Sequence, residues 1–217
     1  MRKIYFSALV LTVLIGMSNA SFAQILAWQL ATPVPSKGIE RNVKATTNNE
    51  DLELSVLTRG PSAVAKQGNG RGFSGNFPIN ASQEEAKTAG AYYQFTVKAK
   101  PGHAVSLSAL DAVLRRQSES AHIYRWTYSI DGKKFTDIGT EDVVISNLSN
   151  NGAKQPTLKL ATYKELQNVP STTTITFRLY AWGATADSGT QIAFGFGKSS
   201  AAGSNVLAVA GTVTPVK

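Results

Sequence analysis

Past residue 23 the chain alternates apolar and polar side chains in short runs, and Gly, Asn, Ser and Pro separate one run from the next. Alternation at period two puts successive side chains on opposite faces of an extended strand, so the pattern predicts antiparallel sheet. The clearest strand spans 122–130. Tyr124, Trp126, Tyr128 and Ile130 share one face, assigned to the core, and Ile123, Arg125, Thr127 and Ser129 share the other. Asp131 and Gly132 follow, a pair suited to the positive φ of a tight hairpin, with 135–138 as the return strand. A second strand, 174–182, carries Ile175, Phe177, Leu179 and Ala181 on one face and Thr174, Thr176, Arg178, Tyr180 and Trp182 on the other. Further strands are expected at 25–30, 52–57, 92–99, 104–114, 191–196 and 205–213, with shorter ones near 143–145 and 157–160. Two capping boxes, Ser82 with Glu85 before Gly90 and Thr162 with Glu165 before Pro170, announce short helical turns. The stretch 59–76, with five glycines and little apolar material, reads as a long surface loop, and 147–152 as an ordinary turn. The fold class is therefore all-β: an antiparallel two-sheet β-sandwich, jelly-roll-like, with one or two short helical turns.

Residues 1–23 break this pattern. Arg2 and Lys3 lead into an apolar run over 4–17 that closes on Ser21, Phe22 and Ala23, the build of a secretory signal peptide. The reading is a cleaved leader over 1–23 and a single β-sandwich domain over 24–217, secreted or periplasmic. The apolar run is short of the roughly 18–20 residues that span a bilayer, and none comparable follows, so no membrane span is expected after cleavage. The chain has no cysteine, which excludes disulfides, thiolate metal sites and lipid attachment through an N-terminal cysteine. The formal charge of +8, two less once Arg2 and Lys3 leave, favours acidic partners such as anionic polysaccharides. Export and the scatter of the lysines argue against nucleic acid.

Motifs for chemistry are sparse. The two histidines, His103 and His122, lack ligand-spaced partners, no Gly-x-Ser-x-Gly elbow occurs, and Gly68, Gly70 and Gly72 fit no phosphate-binding loop. Asp137, Glu141 and Asp142 offer hard oxygens to a calcium ion, although a solvated acidic loop explains them as well. No cofactor, metal or catalytic residue is assigned. The candidate ligand-binding set is Arg178, Tyr180 and Trp182, three residues at period two opposite an apolar row, with Arg125 and Tyr92 on faces able to neighbour them. Rings beside a guanidinium stack on sugars and pair with a carboxylate or sulfate; the competing reading packs the same rings beneath a loop or second layer.

Three segments, YYQFTVKAKPGHAVSLSALDAVLRR, YRWTYSIDGKKFTDIG and TITFRLYAWGATADSGT, carry a resemblance. Together they resemble a β-sandwich, jelly-roll-like domain that recurs in secreted proteins of Bacteroidetes and other environmental bacteria, often beside lamin-tail or phosphoesterase domains or ahead of a C-terminal sorting signal. The likeness covers about 25–213 and rests on Pro101 and Gly102, Asp131 and Gly132, Arg178 with Trp182 and Gly183, and Gly189 with Thr190. It implies the sandwich fold and, by analogy with carbohydrate-binding sandwiches, an extracellular binding role; it supplies no catalytic residues. The chain ends without an appended sorting domain, which favours a free periplasmic or secreted protein. Jelly-roll polysaccharide lyases carry a Gln-x-His element, but here Gln191 is followed by Ile192 and Ala193.

The resulting expectation is an exported, non-catalytic protein that binds a glycan or other extracellular polymer through an aromatic and basic sheet face. A polysaccharide lyase or glycosidase on the same scaffold, and a structural or adhesive cell-surface protein, remain the alternatives.

Overall fold

A computed structural model describes residues 23–216 except 32, 69, 81, 201 and 202, so all of the segment expected to be a leader, 1–23, except Ala23 lies outside the described residues. In chain order the strands are β1 (Gln24–Trp28), β2 (Val43–Lys44), β3 (Thr47–Asn48), β4 (Val56–Arg59), β5 (Val64–Ala65) and β6 (Gly72–Asn76). After helix α1 (Gln83–Ala89) come β7 (Tyr92–Val97), β8 (His103–Arg116), β9 (Ile123–Ser129), β10 (Thr136–Asp137), β11 (Val143–Val144), β12 (Ala153–Lys154) and β13 (Leu158–Lys159). Then follow β14 (Val169–Pro170), β15 (Ile175–Trp182), β16 (Ala193–Gly197) and β17 (Leu207–Pro215).

The strands form two antiparallel sheets, a β-sandwich. The larger runs β3-β1-β17-β8-β16-β6-β5, with β12, β13 and β14 also pairing with β8; the smaller runs β10-β9-β15-β7-β4-β2, with β11 on β9. Inward-facing rings of both sheets interlock as sandwich cores do. Trp28 of the larger sheet meets Phe95 of the smaller edge-on at 5.1 Å, Phe95 stacks on Phe177 at 5.0 Å, and Tyr93 meets Phe196 at 5.2 Å. Three of the buried aromatics have their polar tips hydrogen-bonded. Trp28 Nε1 donates to the Val43 carbonyl at 3.0 Å, the Tyr93 hydroxyl to the Phe194 carbonyl at 2.5 Å, and the Tyr124 hydroxyl to Gln155 Oε1 at 3.0 Å. No helix among the described residues is long and apolar enough to cross a membrane.

Alternation located most strands to within two residues. Tyr124, Trp126 and Tyr128 are core as expected, but β9 stops at Ser129 and leaves Ile130 exposed. The hairpin is wider than a two-residue turn, because Tyr128 pairs with Thr136 rather than with a nearer residue. Gly132 takes its φ of 71°, and the Asp131 carboxylate accepts from the backbone N–H groups of Lys133 and Lys134 at 2.8 and 2.9 Å. The Ser82 half of the first capping box is present: Ser82 accepts from Glu85 N, and Gly90 closes α1 at a φ of 73° where a Cβ would lie 2.7 Å from Pro61 Cγ. At the second, the Thr162 hydroxyl donates back to the Lys159 carbonyl, and two 3-10 turns, Leu160–Thr162 and Lys164–Leu166, replace a capped helix.

Two expectations are corrected. The stretch 59–76 is not one long loop: β4 reaches Arg59, and β6 is a largely buried strand between β16 and β5. Its glycines mark close approaches, since a Cβ on Gly72 would fall 2.2 Å from Arg115 Nη2 and one on Gly75 would fall 3.0 Å from the Val64 carbonyl oxygen. The strand expected at 52–57 lies later, at Val56–Arg59, with Leu52 making only an isolated bridge to Ala99.

Burial of the phenols sets an alkaline limit. Desolvation pushes the hydroxyls of Tyr93 and Tyr124 well above the ordinary tyrosine range, against a smaller opposing effect of Arg59 on Tyr93. Burial and the hydrogen bond to Glu165 push Tyr128 up to about 12. An unfolded tyrosine ionises near pH 10, so these groups contribute their stability fully below that value and lose it as pH rises from about 10 through the folded-state values. The melting temperature is expected to fall progressively above about pH 10, with tyrosinate absorbance appearing as the protein unfolds. Full tyrosinate absorbance in a still-folded protein at pH 11, roughly one unit above the unfolded value, would contradict this burial.

Candidate functional site

The smaller sheet gathers all five sequence-derived residues on one face. Strand β15 lies between β9 and β7, and its odd residues Ile175, Phe177, Leu179 and Ala181 are fully buried, so the even residues take the outer side. The register places Tyr180 opposite Arg125 on one flank and Tyr92 on the other, and Arg178 between Thr127 and Gln94. Period two alone fixed the face; strand order brought the five together.

Arg178 is the most elaborately held of them. Its guanidinium lies between two rings, 4.1 Å from the centroid of Tyr92 and 4.0 Å from that of Phe135. Nε donates to Gln94 Oε1 at 2.7 Å and Nη1 to the Tyr180 hydroxyl at 3.1 Å. Stacking and hydrogen bonding together fix the plane of the group. Among the described residues no carboxylate forms an ion pair with it. Arg178, Tyr92, Gln94 and Phe135 are each partly accessible. Phe135 and Gln94 escaped the sequence reading. Gln94 shares its face with Tyr92 by the same alternation and was findable; Phe135 was assigned to a return strand that begins at Thr136, and only the wide turn swings its ring over β15.

Three of the five do not play the parts expected of them. Tyr180 and Trp182 are each only 3% exposed. Helix α1 packs on β15 with Ala86 fully buried, and the Gly183 N–H donates to the Asn80 carbonyl at 2.9 Å just before that helix. The two rings therefore belong to the buried apolar cluster, and among the described residues they form no open stacking platform at this end of the face. A strand with large apolar groups on both sides requires cover on both, and α1 provides the second cover. Tyr180 keeps a role through its hydroxyl, which orients Arg178.

Arg125, the third, is not a free cation. Nη2 lies 2.5 Å from Asp142 Oδ1 and Nη1 lies 3.7 Å from Asp137 Oδ2, and the carbonyls of Gly139 and Thr140 accept its other bonds. Asp137 also accepts from Gln83 Nε2 and lies 3.6 Å from Lys87 Nζ, which ties α1 to β10. The acidic cluster considered for calcium is thus occupied by basic side chains at two of its three members. Among the described residues no group of three or more histidine, cysteine or acidic side chains is placed to share a metal ion. His103 pairs instead with Asp51 at 3.4 Å, and His122 packs beside Gly183.

Comparison with known proteins adds little to this geometry. No family model matches the chain, and no curated protein matches it. Among solved structures, the C-terminal domain of a chitobiase from Bacteroides fragilis is similar over 76% of this chain and 96% of that one, at 18% identity and a TM-score of 0.33. So slight a likeness bears no weight in assigning a function.

Proposed function

We propose that the protein is an exported, non-catalytic binding protein that recognises a glycan or other extracellular polymer at the Arg178 end of the outer sheet face. The supporting observation is the guanidinium itself: oriented by Gln94 and Tyr180, stacked between Tyr92 and Phe135, and lacking an acidic partner among the described residues. A cation that the fold holds rigidly without neutralising it is prepared to donate charge-assisted hydrogen bonds to an incoming carboxylate or sulfate. Tyr92 contributes to the site and Tyr180 positions it through its hydroxyl, whereas Arg125 is held by Asp137 and Asp142 and Trp182 is buried. The leader read in the sequence brings the site to the periplasm or the medium, where such polymers occur.

Affinity electrophoresis in gels containing alginate, polygalacturonate or neutral xylan tests this reading. Retardation by an acidic polymer is expected, with Arg178→Gln weakening it by about tenfold, the effect of one lost charge-assisted contact. The melting temperature of that variant serves as the check on folding. Unchanged retardation in a folded Arg178→Gln variant removes the site, and depolymerisation of any of these polymers by the pure protein replaces binding with the enzymatic reading.

A further inference from the structure

A second polar concavity opens on the larger sheet, away from Arg178. Where the ends of β8, β16 and β6 meet the 147–152 turn, a cleft of about 320 Å³ is lined by Arg115, Arg116, Gln117, Ser118, Leu148 and Gln191, among others, and no acidic residue contributes to it. Its floor is shallow in side chains, with Gly68, Ser74, Ala193 and Gly195 beneath. The volume falls at the lower end of the roughly 300–1,000 Å³ of small-molecule sites.

The electrostatics of the lining are one-sided. Arg116 donates from Nε to the Gln117 carbonyl at 3.3 Å, from Nη1 to the Ile145 carbonyl at 3.1 Å and from Nη2 to the Ser118 carbonyl at 2.8 Å. All three acceptors are neutral main-chain oxygens, which fix the guanidinium in place without cancelling its charge. Arg115 sits on Gly72 and Gly197, whose missing Cβ atoms make room for it, and donates to the Gly70 and Asn150 carbonyls at 3.2 Å. Burial lowers the pKa of both guanidinium groups.

The remaining groups suit hydroxyls and a carbon face. Gln117 Oε1 accepts from Ala193 N at 2.8 Å, which orients the amide and keeps its NH₂ for another acceptor. Gln191 and Ser118 are exposed and make no side-chain hydrogen bond among the described residues, and Leu148, 51% exposed, provides an apolar wall. We propose that this cleft binds an acidic saccharide, with Arg116 taking the carboxylate, Gln117, Gln191 and Ser118 the ring hydroxyls, and Leu148 the C–H face of the pyranose. The turn at 147–152, ordinary in the sequence, thereby becomes one wall of a site.

Trigalacturonate titrated into ¹⁵N-labelled protein tests the assignment, with maltotriose as the neutral control. The expected result is a set of concentration-dependent shifts at the backbone and side-chain amides of Gln117 and Gln191, absent with maltotriose and unaffected by Arg178→Gln, which lies on the other sheet. Gln191→Glu places a carboxylate at the mouth on an exposed side chain, and it is expected to weaken binding by about tenfold while leaving the melting temperature unchanged. Arg116→Gln is expected to weaken it further. Absence of shifts at the cleft, equal shifts with maltotriose, or wild-type affinity in Gln191→Glu would each overturn the proposal.

Discussion

Trp182→Ala is expected to lower the unfolding free energy by about 3–5 kcal/mol, the usual loss when a sealed indole is replaced by a methyl group. The ring is 3% exposed beneath a layer that includes α1, and the surrounding backbone is pinned: the His122 N–H donates to the Trp182 carbonyl at 3.0 Å, and Gly183 is tied to Asn80. Partial collapse of α1 onto the vacated space would bring the loss towards the lower figure. Chemical denaturation followed by the fluorescence of the two remaining tryptophans, Trp28 and Trp126, measures the effect. A loss within about 0.5 kcal/mol, as surface substitutions give, would mean that the indole lies open to solvent and would restore the stacking platform. Loss of polymer retention in this variant is therefore evidence about folding first, and Arg178→Gln is the cleaner probe of binding.

Gly195→Ala carries the other large effect. A Cβ at this position would lie 2.2 Å from the Phe73 carbonyl oxygen, 2.7 Å from Ser74 Cα and 2.8 Å from the Tyr93 hydroxyl oxygen. Two of these neighbours are backbone atoms of the adjacent strand β6, and the third is the fully buried phenol that crosses the core to the Phe194 carbonyl. None is the free end of a flexible side chain, so relief requires β16 and β6 to separate or Tyr93 to leave its site. The expected cost is about 3 kcal/mol or more, at the upper end of overpacking, with loss of soluble expression as its practical sign. Gly132→Ala is the matched control. Gly132 also has a positive φ, but open space surrounds its Cβ position, so only the left-handed backbone cost of about 1–2 kcal/mol applies. Equal melting temperatures for the two variants would show that the crowding at Gly195 is not real.

The candidate site was half legible in the sequence. Alternation along 174–182 put Arg178, Tyr180 and Trp182 on one face, and the structure keeps them there. What alternation cannot report is whether a face is open, because cover comes from elsewhere in the chain. Here α1 seals Tyr180 and Trp182, and the acidic residues Asp137 and Asp142 neutralise Arg125. Phe135 was invisible for a related reason: its ring reaches Arg178 only because the hairpin is wider than Asp131 and Gly132 imply. The stretch 59–76 failed differently. Its glycines read as loop composition, yet at Gly72 and Gly75 they answer to Arg115 and to the Val64 carbonyl, neighbours that are not apparent from the stretch itself.

The sequence by itself determined the period of the strands, the core character of Tyr124, Trp126 and Tyr128, the cap of α1 at Ser82 and the all-β class, since each depends on side chains within a few residues of one another. Tertiary structure alone decided the strand order, the cover over β15 and the clamp on Arg178. Those rest on contacts such as Arg178 with Gln94, 84 residues apart, and helix α1 with β15, which no local pattern encodes because they form only when the two sheets have assembled.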